Sequence, residues 1–386
     1  MSNAGTKFDQ PPLKFENAPE SDSELRKRLA IEEIITQNVN QHIALDVLIK
    51  LSLTPHGLVN DNIRRVLWPQ LVGVDINRLE RAPSLDDLQN HPEYNQVVLD
   101  VNRSLKRFPP GIPYEQRIAL QDQLTVLILR VIKKYPNLRY YQGYHDVAVT
   151  FLLVAGEEVA YAIMEQLSTT HFSECMQETM EATQRRLMFI WPVIKFENPE
   201  LFTFLQKSAV GTLFALPWYL TWFGHSLNSY KSVVRLYDYF LASPIYTPIF
   251  VTAAILLYRS SEILKEECDM ASVHCLLSRL PENLPFEELL KTSSKLFNKY
   301  SLAKIEKDVD ELIRNEIEKR QAEEKLILER RRKISQRDTA SRSLSLSQWL
   351  PNVLTTKSVL VTTAVSIVVG FCAYYYKNQY LAAGIS

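Results

Sequence analysis

Apolar residues recur at helical spacing through most of this chain, and that periodicity constrains the fold more than any other feature. Residues 23–53 carry apolar side chains at four-residue steps, among them Ile31 and Ile35, and Pro55 ends the run. Residues 94–105 and 114–135 repeat the pattern. Because no segment shows a convincing series of the apolar–polar alternation typical of β-strands, the sequence predicts an all-α fold.

Composition narrows the class of protein further. Glycine supplies only 10 of 386 residues, below its usual share of about 7%. Hairpins and phosphate-cradling loops need glycine, so its scarcity also favours helices. Lys plus Arg and Asp plus Glu number 44 each, which gives no basic excess for binding nucleic acid. The chain lacks the GxxxxGK[ST] and HExxH motifs, and its histidines lack metal-ligand spacing, so we expect no metal site.

Two apolar segments, 212–223 and 246–258, are too short to span a bilayer and are predicted to be buried core helices. Asn198-Pro199-Glu200 predicts the start of another helix, because a capping residue precedes proline at the first helical position.

Cysteines and histidines give weaker signals. The four cysteines form no CxxC pair, as is usual in a reducing compartment. Cys268 and Cys275 lie seven residues apart and are expected to pack on one helix face. His145 and His225 each follow a glycine-containing connector and are interpreted as structural hydrogen-bonding residues.

Changes in composition divide the chain into segments. Residues 1–22 are polar, lack the apolar core of a signal peptide and are predicted to be disordered. Residues 23–301 form the main helical domain. Residues 302–333 are dense in charge, with a narrow apolar stripe, and are predicted to form a further helix. Residues 334–357 are rich in serine and are interpreted as a linker.

Residues 358–376 contain no charged side chain, and as a helix these 19 residues would be about 28 Å long, close to the hydrocarbon thickness of a bilayer. Trp349 precedes the segment and tyrosines end it, as in the aromatic belts of membrane helices. The basic cluster at 330–333 lies upstream. We therefore predict one transmembrane helix, with the main domain in the cytosol and residues 377–386 as a short lumenal tail.

Three short motifs suggest a family. Residues 64–73 contain RxxxWxxLxG, residues 97–103 match IxxDxxR with valine in place of isoleucine, and residues 140–143 read YxQG. In this order the motifs resemble those of the TBC-domain Rab GTPase-activating proteins, and residues 218–225 and 235–240 resemble the second half of that domain. The resemblance implies a two-lobed helical TBC-type domain, with the lobes joined near 155–158.

The resemblance also implies catalytic residues. Hydrolysis of GTP develops negative charge on the transferring phosphoryl group, and an arginine inserted from outside can accelerate it about 10³–10⁵-fold. Arg103 lies off the apolar stripe of its helix and is the implied arginine finger. Gln142 is the implied glutamine finger, which orients the attacking water with a carboxamide that both donates and accepts hydrogen bonds.

Other motif residues are expected to support these two or to bind the GTPase. Asp100 lies three residues before Arg103 on the same helix face and is expected to hold its guanidinium in position. Tyr140, Tyr141 and Gly143 flank Gln142 and are placed in the same group. Arg64 is compatible with a partner contact or with an internal salt bridge.

Two further positions belong to these motifs. Trp68 is expected to pack in the core. Ser104 stands where the family usually has threonine, and residues 108–111 depart from its usual Thr-x-Pro, which bears on loop shape and substrate choice.

The resemblance therefore implies a GTPase-activating protein for a Rab of early secretory, endoplasmic-reticulum-to-Golgi traffic. The terminal membrane segment resembles that of the tail-anchored endoplasmic-reticulum subgroup of the family. The Rab partner carries Mg²⁺ and GTP, so no cofactor of the chain's own is expected. Two alternatives stay open: a membrane-tethered module that binds a GTPase without accelerating it, and a scaffold that recruits a coiled-coil partner through residues 302–333.

Overall fold

The computed structural model describes residues 20–38, 42–79, 82–104 and 113–345. Within these residues the regular structure is helical, with short 3-10 turns and no β-strand, so the predicted all-α class is confirmed there. The α-helices in chain order are α1 (Asp22–Gln37), α2 (Leu45–Leu53), α3 (Asp61–Leu71), α4 (Tyr94–Ser104), α5 (Tyr114–Lys134), α6 (Tyr144–Ala155), α7 (Glu157–Thr169), α8 (Glu181–Leu187), α9 (Ile190–Glu197), α10 (Pro199–Lys207), α11 (Leu216–Leu220), α12 (Tyr230–Leu241), α13 (Thr247–Tyr258), α14 (Ser260–Ile263), α15 (Met270–Leu277), α16 (Phe286–Lys299) and α17 (Leu302–Ser345).

None of these described helices combines the length and the apolar character needed to cross a bilayer. The predicted transmembrane segment 358–376 and tail 377–386 lie outside the described residues, as do residues 108–111 and most of the predicted disordered N-terminus.

One hydrophobic core serves the main unit, which extends to Ile313. The Phe151 ring of α6 contacts Trp68 of α3 at 5.1 Å and Tyr237 of α12 at 5.3 Å, measured between ring centroids. These side chains come from both sides of the predicted joint at 155–158, where α6 and α7 instead pack against each other across Gly156. The predicted pair of lobes is therefore not present as separate cores in the described residues, because aromatic side chains from both halves pack together.

Residues 23–53, which carry one continuous helical pattern, form two helices, α1 and α2. Asn38 caps the end of α1, where its side-chain amide donates to the Ile34 carbonyl at 2.8 Å. Asparagine competes with the helical backbone for hydrogen bonds and so favours a helix end. The four-residue spacing of apolar side chains continues across the break, which is why periodicity alone did not reveal it.

The two apolar segments differ in the outcome. Residues 246–258 form α13, a buried helix, as predicted. Most of residues 212–223 are buried, although Leu213 is exposed, and they form only a 3-10 turn and the short α11. After α11, Trp222 and Phe223 take positive φ angles of 47° and 66°. Burial of these large side chains among other aromatic rings outweighs the regular helix that the apolar run predicted.

Helix starts are predicted better than helix lengths. The α10 helix begins at Pro199, and the Asn198 side chain accepts a hydrogen bond from the Leu201 backbone at 2.9 Å, as the local sequence indicates.

Cys268 and Cys275 were expected to pack in the interior, but both are exposed. Their seven-residue spacing places only one of them within α15, so they do not share a helix face.

The last described helix, α17, begins at Leu302, and Ile305 and Val309 bury their side chains in the main unit. A second compact unit begins at Arg314, and its side chains are exposed as far as Lys333. The helix runs on to Ser345, within the stretch interpreted as a linker. No glycine or proline lies between Leu302 and Ser345 to end it, and serine alone is a weak helix breaker.

Candidate functional site

Helix α4 separates an inward aspartate from an outward arginine. Val97 and Val101 lie in the core, and Asp100 is only 1% exposed beside them. Arg103, one turn later, has a 65% exposed side chain. Its Nη1 atom lies 3.9 Å from Asp100 Oδ1, a loose ion pair that leaves most of the guanidinium's donors open to a partner.

The buried Asp100 carboxylate forms hydrogen bonds that are shorter than its contact with Arg103. Its Oδ2 atom accepts from Gln96 Nε2 and from the Tyr140 hydroxyl, each at 3.1 Å. Burial, together with the Asp100 charge, raises the pKa of Tyr140 well above its ordinary value, so the phenol keeps its hydrogen at neutral pH. These two neutral donors compensate the buried charge without requiring Arg103, which is free to leave it.

The connector between α5 and α6 is fixed at several points. The Tyr140 backbone N–H donates to Glu93 Oε2 at 3.0 Å, and the buried Tyr141 hydroxyl donates to the Leu220 carbonyl at 2.8 Å. Gly143 has φ +110°, and a Cβ atom there would lie 2.9 Å from Thr221 Cγ2. The backbone around residue 142 is therefore held by its neighbours on both sides.

Gln142 itself is different. Its side chain is exposed, and it has no hydrogen-bond partner among the described residues. An amide that is held by a fixed backbone but has unused donors and acceptors is suited to binding a group brought by another molecule.

Arg103 and Gln142 line the same groove. It has a volume of about 650 Å³ and lies where α4, the 140–143 connector and the segment after α11 meet. Its other lining residues are Asp100, Gly143, His145, Asp146, Met180, Leu216, Pro217, Leu220, Thr221, Gly224, His225, Leu227 and Asn228. The structure thus brings two of the three predicted motifs to one surface.

Two histidines extend the polar network along the groove. His145 is buried, and its Nδ1 atom lies 2.8 Å from the Tyr140 hydroxyl. His225 is half exposed, and its Nδ1 atom lies 2.9 Å from Asp146 Oδ2. Both therefore form hydrogen bonds, as predicted. Burial lowers the pKa of His145, despite the nearby Asp146 and Asp100 charges, so its imidazole is neutral at pH 7.

The third motif lies elsewhere. Arg64 is 4% exposed, and its guanidinium donates from Nε and Nη2 to Asp238 at 3.0 Å and from Nη1 to Asp61 at 2.8 Å. Trp68 is fully buried, as predicted, and donates from Nε1 to Asp238 Oδ1 at 2.8 Å. Of the two roles open to Arg64, the structure shows the internal salt bridge. Grouping Arg64 with partner-binding residues was wrong, because its donors are used inside the fold.

The Tyr140 and Tyr141 hydroxyls also form their hydrogen bonds inside the fold. Tyr141 is buried against Leu220, and Tyr140 is half buried beneath the groove, so neither presents its hydroxyl to a docked partner. Asp100, Tyr140, Tyr141 and Gly143 all lie where they can position Arg103 or Gln142.

Sequence reasoning missed several polar partners. Asp238 lies within a run of apolar and aromatic residues on α12, and a lone carboxylate in such a run signals a buried, paired charge. Gln96 and Asp146 gave no comparable signal, because each becomes significant only through a side chain brought near by folding.

Comparison with known proteins places this geometry in context. Residues 61–264, which include Arg64, Arg103 and Gln142, match the model of the Rab-GTPase-TBC domain family. The chain is 44% identical over 280 residues to TBC1 domain family member 20 of Homo sapiens, covering 72% of this chain and 70% of that protein. It is 31% identical over 242 residues to GTPase-activating protein gyp10 of Schizosaccharomyces pombe, covering 62% of this chain and 64% of that protein.

Solved structures agree on the fold. The Ypt/Rab-GAP domain of Gyp1p superposes with a TM-score of 0.57 at 16% identity, covering 72% of this chain and 98% of that one. The Chlamydomonas flagellar RabGAP TBC domain superposes with a TM-score of 0.55 at 14% identity, covering 72% and 92% of the two chains.

Proposed function

Because this chain belongs to the Rab-GTPase-TBC domain family and is a GTPase-activating protein for Rab GTPases, we propose that it supplies Arg103 and Gln142 together, in trans, to the nucleotide site of a Rab. The observation that carries the proposal is the shared groove. Both side chains line it with unused donors, while their supports are buried beneath them.

Arg103 fits the part of an arginine finger. Its charge is permanent, and its planar fork of N–H donors matches the oxygens of a transferring phosphoryl group. The 3.9 Å contact with Asp100 orients the guanidinium in the free protein without consuming its donors. When Arg103 turns to the phosphates, Gln96 and Tyr140 still satisfy Asp100, so the movement leaves no unpaired buried charge.

Gln142 fits the part of a water-orienting residue. Its amide oxygen would accept a hydrogen from the attacking water, and its N–H₂ group would donate to the partner. The residue after Gln142 must be glycine, because a side chain at position 143 would clash with Thr221. In this scheme the GTPase's own glutamine is displaced, and the Rab contributes GTP and Mg²⁺.

The proposed substrate is a Rab of early secretory traffic between the endoplasmic reticulum and the Golgi. Its test is a panel of purified Rabs incubated with the full chain in detergent, with phosphate release as the readout. Stimulation concentrated on Rabs of this route supports the proposal. Equal or greater stimulation of endocytic Rabs contradicts the substrate assignment and leaves the general activity intact.

We further propose that residues 358–376 anchor the chain in the endoplasmic reticulum membrane, with the helical domain facing the cytosol. Support comes from the uncharged length of the segment and from the basic cluster at 330–333 on its upstream side. A segment of this moderate length and hydrophobicity suits a thin bilayer such as that of the endoplasmic reticulum.

Removal of residues 358–386 tests the anchor. The shortened chain is expected in the cytosolic fraction after a salt wash, which strips protein held only by the basic cluster. Its activity on soluble Rab should equal that of the full chain. Retention of the shortened chain in washed membranes would contradict the proposal.

A further inference from the structure

His145 is buried at the groove, and the proposed catalytic scheme gives this histidine no role. It lies on the first turn of α6, three residues after Gln142, and the Tyr140 side chain to which it bonds comes two residues before Gln142. The bond between the two side chains therefore closes a short loop of chain whose outer part is Gln142 and Gly143. This contact therefore restrains the backbone at Gln142.

The same bond reaches the arginine. The Tyr140 hydroxyl lies 2.8 Å from His145 Nδ1 and 3.1 Å from Asp100 Oδ2, and Asp100 in turn faces Arg103. One hydroxyl thus joins the supports of both fingers. We propose that His145 is a positioning residue, which fixes the Tyr140 hydroxyl and through it the placement of Gln142 and Arg103. This inference rests on the proposed function.

The placement of hydrogens follows from counting donors. The Tyr140 hydroxyl has one hydrogen and two neighbours that can accept it. Asp100 is a buried carboxylate, and depriving it of a donor costs more than leaving a neutral imidazole without one. The hydroxyl therefore donates to Asp100, and His145 donates to the hydroxyl oxygen from Nδ1. The lowered pKa of His145 agrees with a neutral imidazole ring.

Other groups around the ring do not change this assignment. His145 Nε2 lies 3.5 Å from Asp146 Oδ1, a contact too long to compete with the 2.8 Å contact at Nδ1. Asp146 accepts a shorter hydrogen bond from His225. The Arg103 side chain is largely exposed at the groove, and its ion pair is with Asp100.

Substitutions that move the polar atom by one bond test the role. In His145→Asn the amide nitrogen is attached where Nδ1 is attached, so it can still donate to Tyr140. In His145→Gln the amide lies one bond further out, at the distance of Nε2, and His145→Leu has no polar atom. His274→Leu, on the exposed surface of α15, is the matched control.

The measurement is single-turnover hydrolysis by the Rab most strongly stimulated, across a range of concentrations of the full chain in detergent. We expect Leu and Gln at position 145 to lower the maximal stimulated rate about tenfold, which corresponds to the loss of one hydrogen bond. The concentration that gives half of the maximal rate should not change. His145→Asn should retain most of the rate, and His274→Leu all of it.

A double variant gives a second readout. If His145 acts through Tyr140, adding His145→Leu to Tyr140→Phe should lower the rate little further. Independent, multiplying losses would contradict the relay, as would an Asn variant as slow as the Leu variant at equal melting temperature. A Leu variant with the wild-type rate would overturn the inference alone, whereas a wild-type chain that stimulates no Rab would overturn the proposed function as well.

Discussion

Two arginine–aspartate pairs, both involving an arginine of the sequence motifs, differ in how they are buried. Arg64 and Asp238 join α3 to α12, and both are buried, with two donors of the guanidinium on one carboxylate. Arg103 and Asp100 are neighbours on α4, and only the aspartate is buried. In the first pair the charges neutralise each other inside the fold, and in the second the arginine remains available.

The difference lies in how each aspartate is satisfied. Asp238 accepts from Arg64, from the Trp68 indole and from the Leu58 backbone, so Arg64 is one part of a filled cluster. Gly57 packs closely against that cluster, because a Cβ atom there would clash with Asp238 Oδ2. Asp100 is satisfied by neutral donors instead. A buried carboxylate with its own neutral donors can orient an arginine without holding it.

The largest predicted effect is on the exposed pair. Arg103→Ala and Arg103→Lys should each reduce stimulated hydrolysis about 10³-fold or more, because lysine cannot reproduce the guanidinium fork. The melting temperature should stay at the wild-type value, since Arg103 is exposed and loosely paired. Phosphate release and thermal unfolding measure the two quantities. Near-normal activity of the lysine variant would show that Arg103 is not the finger.

The buried pair should behave in the opposite way. Arg64→Met or Asp238→Asn should lower the free energy of unfolding by about 3–5 kcal/mol, because each leaves a buried charge without its main partner. Arg78→Ala, which breaks an exposed pair with Asp75, is the matched control and should leave the free energy of unfolding nearly unchanged. Chemical denaturation measures all three. A small effect at Arg64 would mean that the cluster contributes little to the fold.

The two pairs also show that local features could be predicted from the sequence and that contacts between distant residues could not. Periodicity and capping residues predicted α13 and the start of α10, because those signals are local. The exposed Arg103 followed from its place off an apolar stripe. The partner of Arg64 lies 174 residues away on α12, and no spacing rule reaches that far. The early end of α11 was missed for the same reason, since Trp222 and Phe223 just after it pack against Phe172 and Phe240, which are distant in sequence.

A third ion pair, with one buried and one exposed member, should give the smallest effect on stability. Glu24 of α1 contacts Lys231 of α12, and this hydrogen bond, with those from Ser21, lowers the pKa of Glu24 from 4.5 to about 2. A lowered carboxyl pKa gives stability that is present above about pH 4.5 and is lost as the pH falls towards 2.

Because Lys231 is largely exposed, solvent screening limits that contribution to about 1 kcal/mol. Glu24→Gln should therefore unfold at a lower denaturant concentration than the wild type at pH 7, and the gap should close as the pH approaches 2. A gap that is constant with pH would show that the pair does not titrate as described.

In the proposed mechanism this chain brings the water-orienting glutamine as well as the arginine. This mechanism is tested by single-turnover hydrolysis with four combinations: wild-type chain or Gln142→Ala, each with wild-type Rab or a Rab whose own switch glutamine is replaced by leucine. Since one oriented amide at the attacking water is enough, the wild-type chain should stimulate both Rabs substantially. Gln142→Ala should lose most of its activity on both. If stimulation disappears with the mutant Rab and survives in Gln142→Ala, the GTPase positions the water and Gln142 is only a residue of the connector.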